Sequence, residues 1–572
     1  MCGIFALINN THDDELIRTA FNKGKHRGPE TSSIIKATVD SKIIFGFNRL
    51  SINGYNDSNS NQPLVYNDCA LICNGEIYNY KQLYHEMGIK GNTKSDCEVI
   101  IHCYTKYGIL HTLQLLDGVY SFVLMDYKRN VIYIARDTYG VRPMFIGQYK
   151  DSDNNNHYAF TSVMKQIVKL DTDDNKYFIK QFLPGHLVKF SKNTEHTSYV
   201  MSQYQKFSSA NSFTNLTIRR DVDIYSLIRS TLEFAVKKRV YNCDRDIACL
   251  LSGGLDSSLI AALVSKYYKQ KFPNRKLHTW SIGLPGSLDL MYAEKVAKHI
   301  GTHHHSIVIN EEELIDSIDK VIYHIESYDT TSVRASVPNW LISKHIKEFE
   351  THVDAKVIFN GDGSDEVTGG YLYFHYIKDP LLFDKECRRL LSNIHFFDVL
   401  RSDRSIASHG LEARTPFLDR NFVQSYLSID PRTRCHTSKN LCEKFLLRSA
   451  FDDGELLPKE VLWRTKEAFS DGVSTHENSW HNIIKNYVKN KIFVGDNFPD
   501  NDKDIIDSLV KKHNLEHNKP TTLEQLFYRL IFEKYFPNKS NTIPYFWMPK
   551  YVSASDASAR SLQIYNIRNQ KQ

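Results

Sequence analysis

Apolar and polar positions alternate in two different ways along the chain. From residue 1 to residue 190, short apolar runs are separated by turn-forming residues, which is typical of an antiparallel-rich α+β domain. The runs are GIFALI, IIFGF, ALIC, SFVLM and VIYIA. We therefore predict a first domain over residues 1–190.

A second pattern starts after residue 222. A helical period over 223–239 leads into the apolar segment IACLL, after which strand-like and helical segments alternate. The strand-like segments are HTWSIGL, HSIVI and KVIFN, and the helical ones include 256–270 and LMYAEKVAKHI. This alternation predicts a parallel, doubly wound sheet, in which ligands bind beyond the carboxyl ends of the strands. We predict a second domain over 223–572, with a helical extension in its C-terminal part.

Residues 191–222 join the two patterns. The stretch is rich in Ser, Asn and Thr, which predicts an inter-domain linker, part of which can pack as a final strand. The total length of 572 residues agrees with this division, because domains of about 150 residues predict two to four of them.

Composition and charge exclude several classes of protein. Hydrophobic residues make up 41% of the chain and charged residues 24%, as in ordinary globular proteins. The net charge of +6 is evenly spread, so we expect no nucleic-acid partner. No apolar run reaches about 18 residues, and the first residues, MCGIFALINN, lack a basic segment. We therefore expect neither a membrane partner nor a signal peptide.

Cysteine and histidine patterns give no metal site. The ten cysteines include no CxxC pair, which argues against a zinc knuckle or a redox motif. Several lie in apolar runs, as Cys249 does, so we interpret them as buried free thiols of a cytoplasmic protein. The consecutive residues His303, His304 and His305 would point to alternate faces of a strand, so the three cannot share one ion.

Cys2 is the exception among the cysteines. Removal of Met1 would leave Cys2 with a free α-amine of pKa about 7.7–8.0, which can serve as the base for its own thiol. Taken alone, a cysteine at position 2 is better explained by chance. The motifs that follow it favour the catalytic interpretation.

Those motifs are HRGP at 26–29, RLSI at 49–52, NGEIYN at 74–79 and SD at 95–96. Together with the opening CGI they resemble the N-terminal-nucleophile glutaminase domain of class II glutamine amidotransferases, over nearly all of residues 1–190. The resemblance implies an αββα fold and a Cys2 thiolate that attacks the side-chain amide of glutamine. It also implies an oxyanion hole from the Asn74 side chain and the Gly75 N–H.

The same resemblance implies how glutamine is recognised. Arg49 would pair with the α-carboxylate, and Asp96, with Gly75 and Glu76, would hold the α-ammonium group. The full glutamine-binding set that it implies is Arg49, Leu50, Ser51, Ile52, Asn74, Gly75, Glu76 and Asp96.

Two glycine-rich loops follow apolar strands in the second domain. The loop SGGLDSS at 252–258 allows close backbone approach to phosphate and places hydroxyl groups beside a helix N-terminus. It lacks the ending of a Walker A loop and resembles the pyrophosphate loop of ATP pyrophosphatases. The loop NGDGSDE at 360–366 is acidic, which suits Mg²⁺ on polyphosphate oxygens, with Asp256 and Asp365 as the metal ligands.

The two halves together resemble the family of glutamine-hydrolysing asparagine synthetases, almost end to end. Further matching segments are SIGL at 281–284, ESYD at 326–329, RAS at 334–336, GGYLY at 369–373, HGLEAR at 409–414, EK at 443–444, KEAFSDGV at 466–473 and DASAR at 556–560. The resemblance implies aspartate binding by Glu326 and Arg334, and an ATP site formed by Leu251, Ser252, Gly253, Gly254, Asp256, Ser257, Ile282, Asn360, Gly361 and Lys444.

One loop departs from the family pattern. The family has Ser-Gly-Glu-Gly where this chain has Asn360-Gly361-Asp362-Gly363, and the family glutamate is linked to the β-aspartyl-AMP intermediate. Asp362 keeps the carboxylate on a shorter side chain, and a misplacement of about 1 Å can cost on the order of 10²-fold in rate. We expect Asp362 to act as a catalytic residue and activity to survive.

The predicted function is synthesis of asparagine from aspartate, with ATP as co-substrate, Mg²⁺ as cofactor and ammonia from glutamine. Two alternatives stay open at this point. One is another amidotransferase on the same scaffold, and the other is an impaired homologue that binds nucleotide or glutamine. The sequence leaves the oligomeric state open, with a homodimer as one state compatible with it.

Overall fold

The computed structural model describes residues 1–171, 176–192, 198–209, 223–349, 353–467, 469–474, 479–493, 501–554 and 556–565. The chain forms two compact units. The first comprises Met1–Ser212 with Asn242–Asp246 and Ala407–Glu412. The second comprises Phe213–Tyr241 with Ile247–Ile406 and Ala413–Gln572.

The first unit is built on two antiparallel sheets, each of six strands within the described ranges. The strands are β1 (Gly3–Ile8), β2 (Thr31–Lys36), β3 (Ile43–Arg49), β4 (Leu64–Tyr66), β5 (Cys69–Ile77), β6 (Gly118–Asp126), β7 (Val131–Arg136), β8 (Phe145–Lys150), β9 (Asn156–Thr161), β10 (Phe178–Gln181), β11 (His186–Lys192) and β12 (Tyr199–Lys206). One sheet has the order β10-β8-β9-β1-β3-β2 and the other β12-β11-β7-β6-β5-β4.

Helices cover the outer faces of both sheets. They are α1 (Asp14–Asn22), α2 (Tyr80–Met87), α3 (Val99–Tyr107), α4 (Ile109–Leu115) and α5 (Met164–Leu170). One buried cluster, with Ile4 and Phe45 facing Ile72 and Val123, fills the space between the sheets. A second cluster joins Leu71 and neighbouring strand residues to α2, α3 and α4. The layers are therefore helix, sheet, sheet, helix, as the sequence resemblance implied.

The second unit has a five-stranded sheet in its described part. Its strands are β13 (Asp246–Leu250), β14 (His278–Gly283), β15 (His303–Val308), β16 (Ala355–Phe359) and β17 (Glu412–Arg414), in the order β15-β14-β13-β16-β17. The pairs β13–β14 and β14–β15 are parallel, as the strand–helix alternation predicted. Their shared direction brings the loops that follow β13 and β14 to one edge of the sheet.

Helices make up most of the remainder of this unit. They are α6 (Ile224–Tyr241), α7 (Leu255–Lys271), α8 (Leu288–Ile300), α9 (Glu311–Asp316), α10 (Ile318–Ile325), α11 (Thr330–Glu348), α12 (Ser364–Thr368), α13 (Pro380–Asn393), α14 (Asp398–Ala407), α15 (Arg420–Ser428), α16 (Pro431–Arg434), α17 (Phe445–Ala450), α18 (Lys459–Leu462), α19 (Phe469–Gly472), α20 (Trp480–Tyr487), α21 (Asp502–Lys512) and α22 (Leu523–Tyr535). Among the described helices, none combines the length and the apolar character that a bilayer crossing needs.

Local sequence signals explain several helix ends. Asn310 and Glu313 form a reciprocal capping box at the start of α9. Gly301 ends α8 in the left-handed conformation, with φ +70°. Within the predicted linker 191–222, Tyr199–Lys206 forms strand β12, whereas 193–197 and 210–222 lie outside the described residues.

Candidate active sites

In the first unit, Cys2 lies at the start of β1 and is half-buried. Its thiol donates a hydrogen bond to the Leu50 carbonyl oxygen, with Sγ 3.5 Å from that atom. Burial raises the pKa of the thiol to about 11, so the thiol is protonated at neutral pH and needs a base. Burial also lowers the pKa of the Met1 amine, to about 6. A neutral α-amine can accept a proton.

Arg49 ends β3 beside Cys2 and is buried. Its guanidinium donates to the Asn61 side-chain oxygen at 2.7 Å and to the Gly54 carbonyl oxygen at 2.9 Å. These acceptors are neutral, and within the described ranges no carboxylate pairs with Arg49. A buried cation without a counter-charge can bind a substrate carboxylate strongly.

Asn74 and Gly75 lie side by side in β5. The Asn74 side chain is almost fully buried, and its Nδ2 lacks a hydrogen-bond acceptor in the part of the chain described. A Cβ on Gly75 would lie 2.6 Å from the Val119 carbonyl oxygen, so this position accepts only glycine. An unpaired buried amide donor is costly unless a ligand completes it, which suits an oxyanion donor.

Two acidic residues surround the Asn53 side chain. Asn53 Nδ2 donates to Glu76 Oε2 at 2.8 Å, and Asn53 also lies close to the Asp96 carboxylate. Asp96 accepts from the Ile77 N–H at 2.6 Å. Burial raises the pKa of Asp96 to about 6. This group of carboxylates can bind an ammonium ion, whose charge would favour ionised Asp96.

The remaining predicted glutamine-binding residues form the segment between β3 and the Asn53 turn. Leu50, Ser51 and Ile52 are all buried. Leu50 contributes the carbonyl oxygen that accepts from Cys2, and the Ser51 N–H donates to Glu30 at 2.6 Å. The structure therefore places this segment against Cys2.

In the second unit, the SGG loop connects β13 to α7. The Ser252 and Ser257 hydroxyl groups lie 3.0 Å apart, and Ser252 Oγ accepts from the Gly254 N–H at 3.4 Å. Gly253 has φ +71°, and a Cβ there would lie 2.4 Å from Tyr292 Cβ. The loop is thus held in a fixed conformation at the start of α7, and the start of a helix favours a bound anion.

A chain of ion pairs connects this loop to the acidic loop after β16. Lys444 Nζ lies 2.6 Å from Asp256 Oδ2 and 2.6 Å from Asp365 Oδ1. Lys466 Nζ lies 2.8 Å from Asp365 Oδ2. Burial alone would raise the pKa of Asp365, but the two lysines hold it well below its usual range. The Asp365 carboxylate is therefore ionised at neutral pH.

Asp362 lies beside this cluster, with one oxygen bonded and the other not. Arg401 donates to Asp362 Oδ1 at 2.9 Å, whereas Asp362 Oδ2 is buried with no hydrogen-bond donor in the described ranges. Arg401 also pairs with Asp398. The Asn360 side chain donates to Ser402 Oγ at 2.7 Å, and its oxygen accepts from the Asp362 N–H at 3.3 Å.

One cavity joins these groups. Its lining includes Leu251, Ser252, Gly254, Asp256, Ser257, Ile282, Asn360, Gly361, Asp362, Asp365 and Lys444. Close packing requires glycine at position 361, since a Cβ there would lie 2.7 Å from Asp256 Cβ. Gly253 supports the wall through its contact with Tyr292.

The two residues predicted to bind aspartate do not belong to this lining. Arg334 donates to both oxygens of Glu524, at 2.8 and 2.5 Å, and to both oxygens of Asp556, at 2.7 and 2.9 Å. Glu326 is buried beside Arg404, with their side chains 3.4 Å apart. Their assignment to aspartate stays a prediction.

Sequence reasoning missed several polar residues of these sites. They are Asn53 and Asn61 in the first unit, and Arg401 and Lys466 in the second. Lys466 lies in the quoted KEAFSDGV segment, so that motif contained the signal. The others lie in stretches without a motif, and only their partners in space reveal them.

Comparisons with known proteins cover the same two halves. The asparagine synthase family matches residues 227–381 and 377–537, and the glutamine amidotransferase domain family matches residues 1–212. An asparagine synthetase [glutamine-hydrolyzing] of Gallus gallus is 39% identical over 580 residues. The enzymes of Bos taurus and Homo sapiens are 40% and 39% identical. In each case the match covers 99% of this chain and 99% of the relative.

Proposed function

This chain belongs to the family of glutamine-hydrolysing asparagine synthetases, and we propose that Cys2 and the cavity of the second unit carry its two half-reactions. The family fold and activity agree with the sequence predictions. The enzyme is a ligase that uses glutamine, aspartate and ATP as small-molecule substrates. The observation that carries the assignment of the second site is that Lys444 joins Asp256 of one glycine-rich loop to Asp365 of the other.

In the first half-reaction, Cys2 hydrolyses glutamine. After removal of Met1, the Cys2 α-amine takes the thiol proton, and the thiolate attacks the side-chain carbonyl carbon of glutamine. Asn74 Nδ2 and the Gly75 N–H stabilise the oxyanion, and ammonia leaves as the thioester forms. Water then releases glutamate. Arg49 holds the α-carboxylate, and Asp96 with Glu76 holds the α-ammonium group.

Replacing Arg49 by Lys tests this recognition. Lysine keeps the charge but cannot donate from two nitrogens at once, so we expect KM for glutamine to rise about 10²-fold. The measurement is steady-state glutaminase kinetics, with Arg129→Lys on the exposed surface of the same unit as the control. Ammonia-dependent asparagine synthesis should stay unchanged. An equal loss in that reaction would contradict a role in glutamine binding.

In the second half-reaction, the β-carboxylate of aspartate attacks the α-phosphate of ATP. Pyrophosphate leaves, and β-aspartyl-AMP forms. Ammonia then attacks the acyl carbon, and asparagine and AMP are released. Lys444 neutralises the departing pyrophosphate, and the N–H groups of the SGG loop bind phosphate oxygens.

Asp256 and Asp365 fit a Mg²⁺ ion by their chemistry. Both are carboxylate oxygen donors, and both already converge on one cationic group, the Lys444 ammonium. Hard oxygen ligands of this kind suit Mg²⁺ bound to phosphates. When bound there, the ion would supply charge neutralisation for the polyphosphate.

We propose that Asp362 acts on the attacking ammonia through Oδ2, the carboxylate oxygen that Arg401 does not bind. Asp362 lines the cavity, and this oxygen has no donor among the described residues, so it can accept a proton from ammonia as the C–N bond forms. Arg401 fixes the carboxylate from its other oxygen. The family glutamate would reach further by one methylene.

The Asp362→Asn variant keeps the shape of the side chain and removes its charge. We expect ammonia-dependent kcat for asparagine to fall about 10²-fold, with glutaminase activity retained. Asparagine is measured by chromatography, and Asp354→Asn on the exposed surface serves as the control. Asp362→Glu should retain activity. Unchanged kcat in Asp362→Asn would remove this residue from the mechanism.

The complete reaction is tested by its stoichiometry. With Mg-ATP, aspartate and glutamine, we expect equal amounts of asparagine, AMP and pyrophosphate, together with glutamate. Glutamate without asparagine or AMP would contradict the synthetase assignment and favour an impaired homologue. AMP and pyrophosphate that depend on another acceptor would favour a different amidotransferase. We also propose that the enzyme is a homodimer, is cytoplasmic and has no nucleic-acid partner.

A further inference from the structure

Three imidazole rings cluster on one face of the second unit's sheet. The rings belong to His278, His303 and His305, and one nitrogen from each lies within 4.8 Å of the other two. His278 Nδ1 lies 2.8 Å from His305 Nε2. The two rings are therefore hydrogen-bonded to each other, and a metal ion would take the place of the proton between these two nitrogens.

The register of the parallel strands explains the cluster. His278 begins β14 and pairs with His303, which begins β15, while Trp280 pairs with His305. Residues 303 and 305 share a face of the strand, and the paired His278 adds a third ring to that face. His304 points to the other face, where its ring nitrogens bond to Thr279 and Ser281, each at 3.0 Å.

The surroundings leave the cluster accessible on one side and rigid on the other. His303 is exposed, which provides an entry path. His305 stacks on Trp280 with ring centroids 4.0 Å apart, and Phe349 packs against both rings.

We propose that His278, His303 and His305 bind one late first-row divalent metal ion, such as Zn²⁺, with a fourth position open to water. Three imidazole nitrogens suit Zn²⁺, Co²⁺, Ni²⁺ or Cu²⁺, whereas the carboxylates Asp256 and Asp365 suit Mg²⁺. Bonds of about 2.0–2.1 Å need the rings to draw closer than 4.8 Å, which side-chain rotation of the exposed His303 allows. The cluster lies at the amino ends of its strands, away from the loops at their carboxyl ends.

The test is Co²⁺ and Zn²⁺ titration of the untagged, chelator-treated full-length chain. Calorimetry should give one tight equivalent of Zn²⁺, and the visible spectrum of bound Co²⁺ should indicate nitrogen and oxygen ligands. His303→Gln removes one exposed ligand, so we expect at least about 10²-fold weaker binding. His304→Gln is the adjacent control and should bind as the unmodified chain does. His299→Gln, an exposed change on α8, replaces that control if His304→Gln fails to fold.

Three results would overturn the proposal. The first is Zn²⁺ binding that is equally tight in His303→Gln and the unmodified chain. The second is a thiolate charge-transfer band from Co²⁺ at the first equivalent, since that would place the ion on cysteine. The third is an equal loss of affinity in the His299→Gln control, because binding would then be adventitious. The proposal does not depend on the asparagine synthetase reaction, so failure of either leaves the other standing.

Discussion

The Cys2→Ala protein is expected to lose glutamine-dependent asparagine synthesis by at least about 10³-fold and to keep ammonia-dependent synthesis within about twofold. The reason is that alanine removes the nucleophile and nothing else from the glutaminase site. Burial keeps the thiol protonated until a base acts on it, so the attack depends on the Cys2 thiol and its base together. Free ammonia bypasses this step because it enters the reaction only at the acyl adenylate.

The measurement follows asparagine and glutamate by chromatography with each nitrogen source. Cys442→Ala is the matched control, since Cys2 and Cys442 are the described cysteines of intermediate exposure. That variant should retain glutaminase activity. Mass spectrometry of the unmodified chain checks that Met1 has been removed. Glutamate release by Cys2→Ala at an unchanged rate would refute the role of Cys2.

Much of the fold was predictable because its strands follow simple apolar patterns. Segments such as GIFALI and VIYIA alternate with turn residues, and they form strands Gly3–Ile8 and Val131–Arg136. Less apolar strands escaped the same reasoning. Thr31–Lys36, for example, contains two serines and a lysine and is largely exposed at a sheet edge. Such a strand is specified by its pairing with a neighbour rather than by its own sequence.

The features of the site were also only partly predictable from the sequence. The resemblance gave Arg49 and Asn74 their roles, but the sequence could not indicate that Arg49 is held by neutral acceptors or that Asn74 Nδ2 is unpaired. These facts depend on contacts between distant segments. Arg334 gives the converse lesson, since its motif predicted a substrate contact whereas its guanidinium is already shared by two carboxylates. Because consecutive strand residues point to alternate faces, the sequence argued against one metal ion bound by His303, His304 and His305 together. It could not reveal that His278 on the adjacent strand lies beside His303 and His305.

Lys444→Met is expected to lower asparagine formation about 10²- to 10³-fold with either glutamine or ammonia, while glutaminase activity persists. Lys444 is 1% exposed and bridges the carboxylates of Asp256 and Asp365, so methionine fills the space of its chain without its charge. Two carboxylates then face each other, with Lys466 as the remaining close cation on Asp365. These carboxylates then repel each other and also repel the negatively charged polyphosphate, because all of these charges lie close together. ATP binding and pyrophosphate departure should therefore both weaken.

A matched control separates this chemistry from loss of any buried lysine. Lys356 is 3% exposed on β16 and pairs with the exposed Asp354, outside the residues that line the cavity. Lys356→Met should keep the synthetase rate, and thermal unfolding of both variants reports the cost in stability. If Lys444→Met keeps the unmodified rate, Lys444 does not act on pyrophosphate. If the variant reaches the unmodified rate at saturating Mg-ATP, so that only KM has changed, the lysine acts in binding ATP alone, because loss of a group that stabilises the departing pyrophosphate must lower kcat as well.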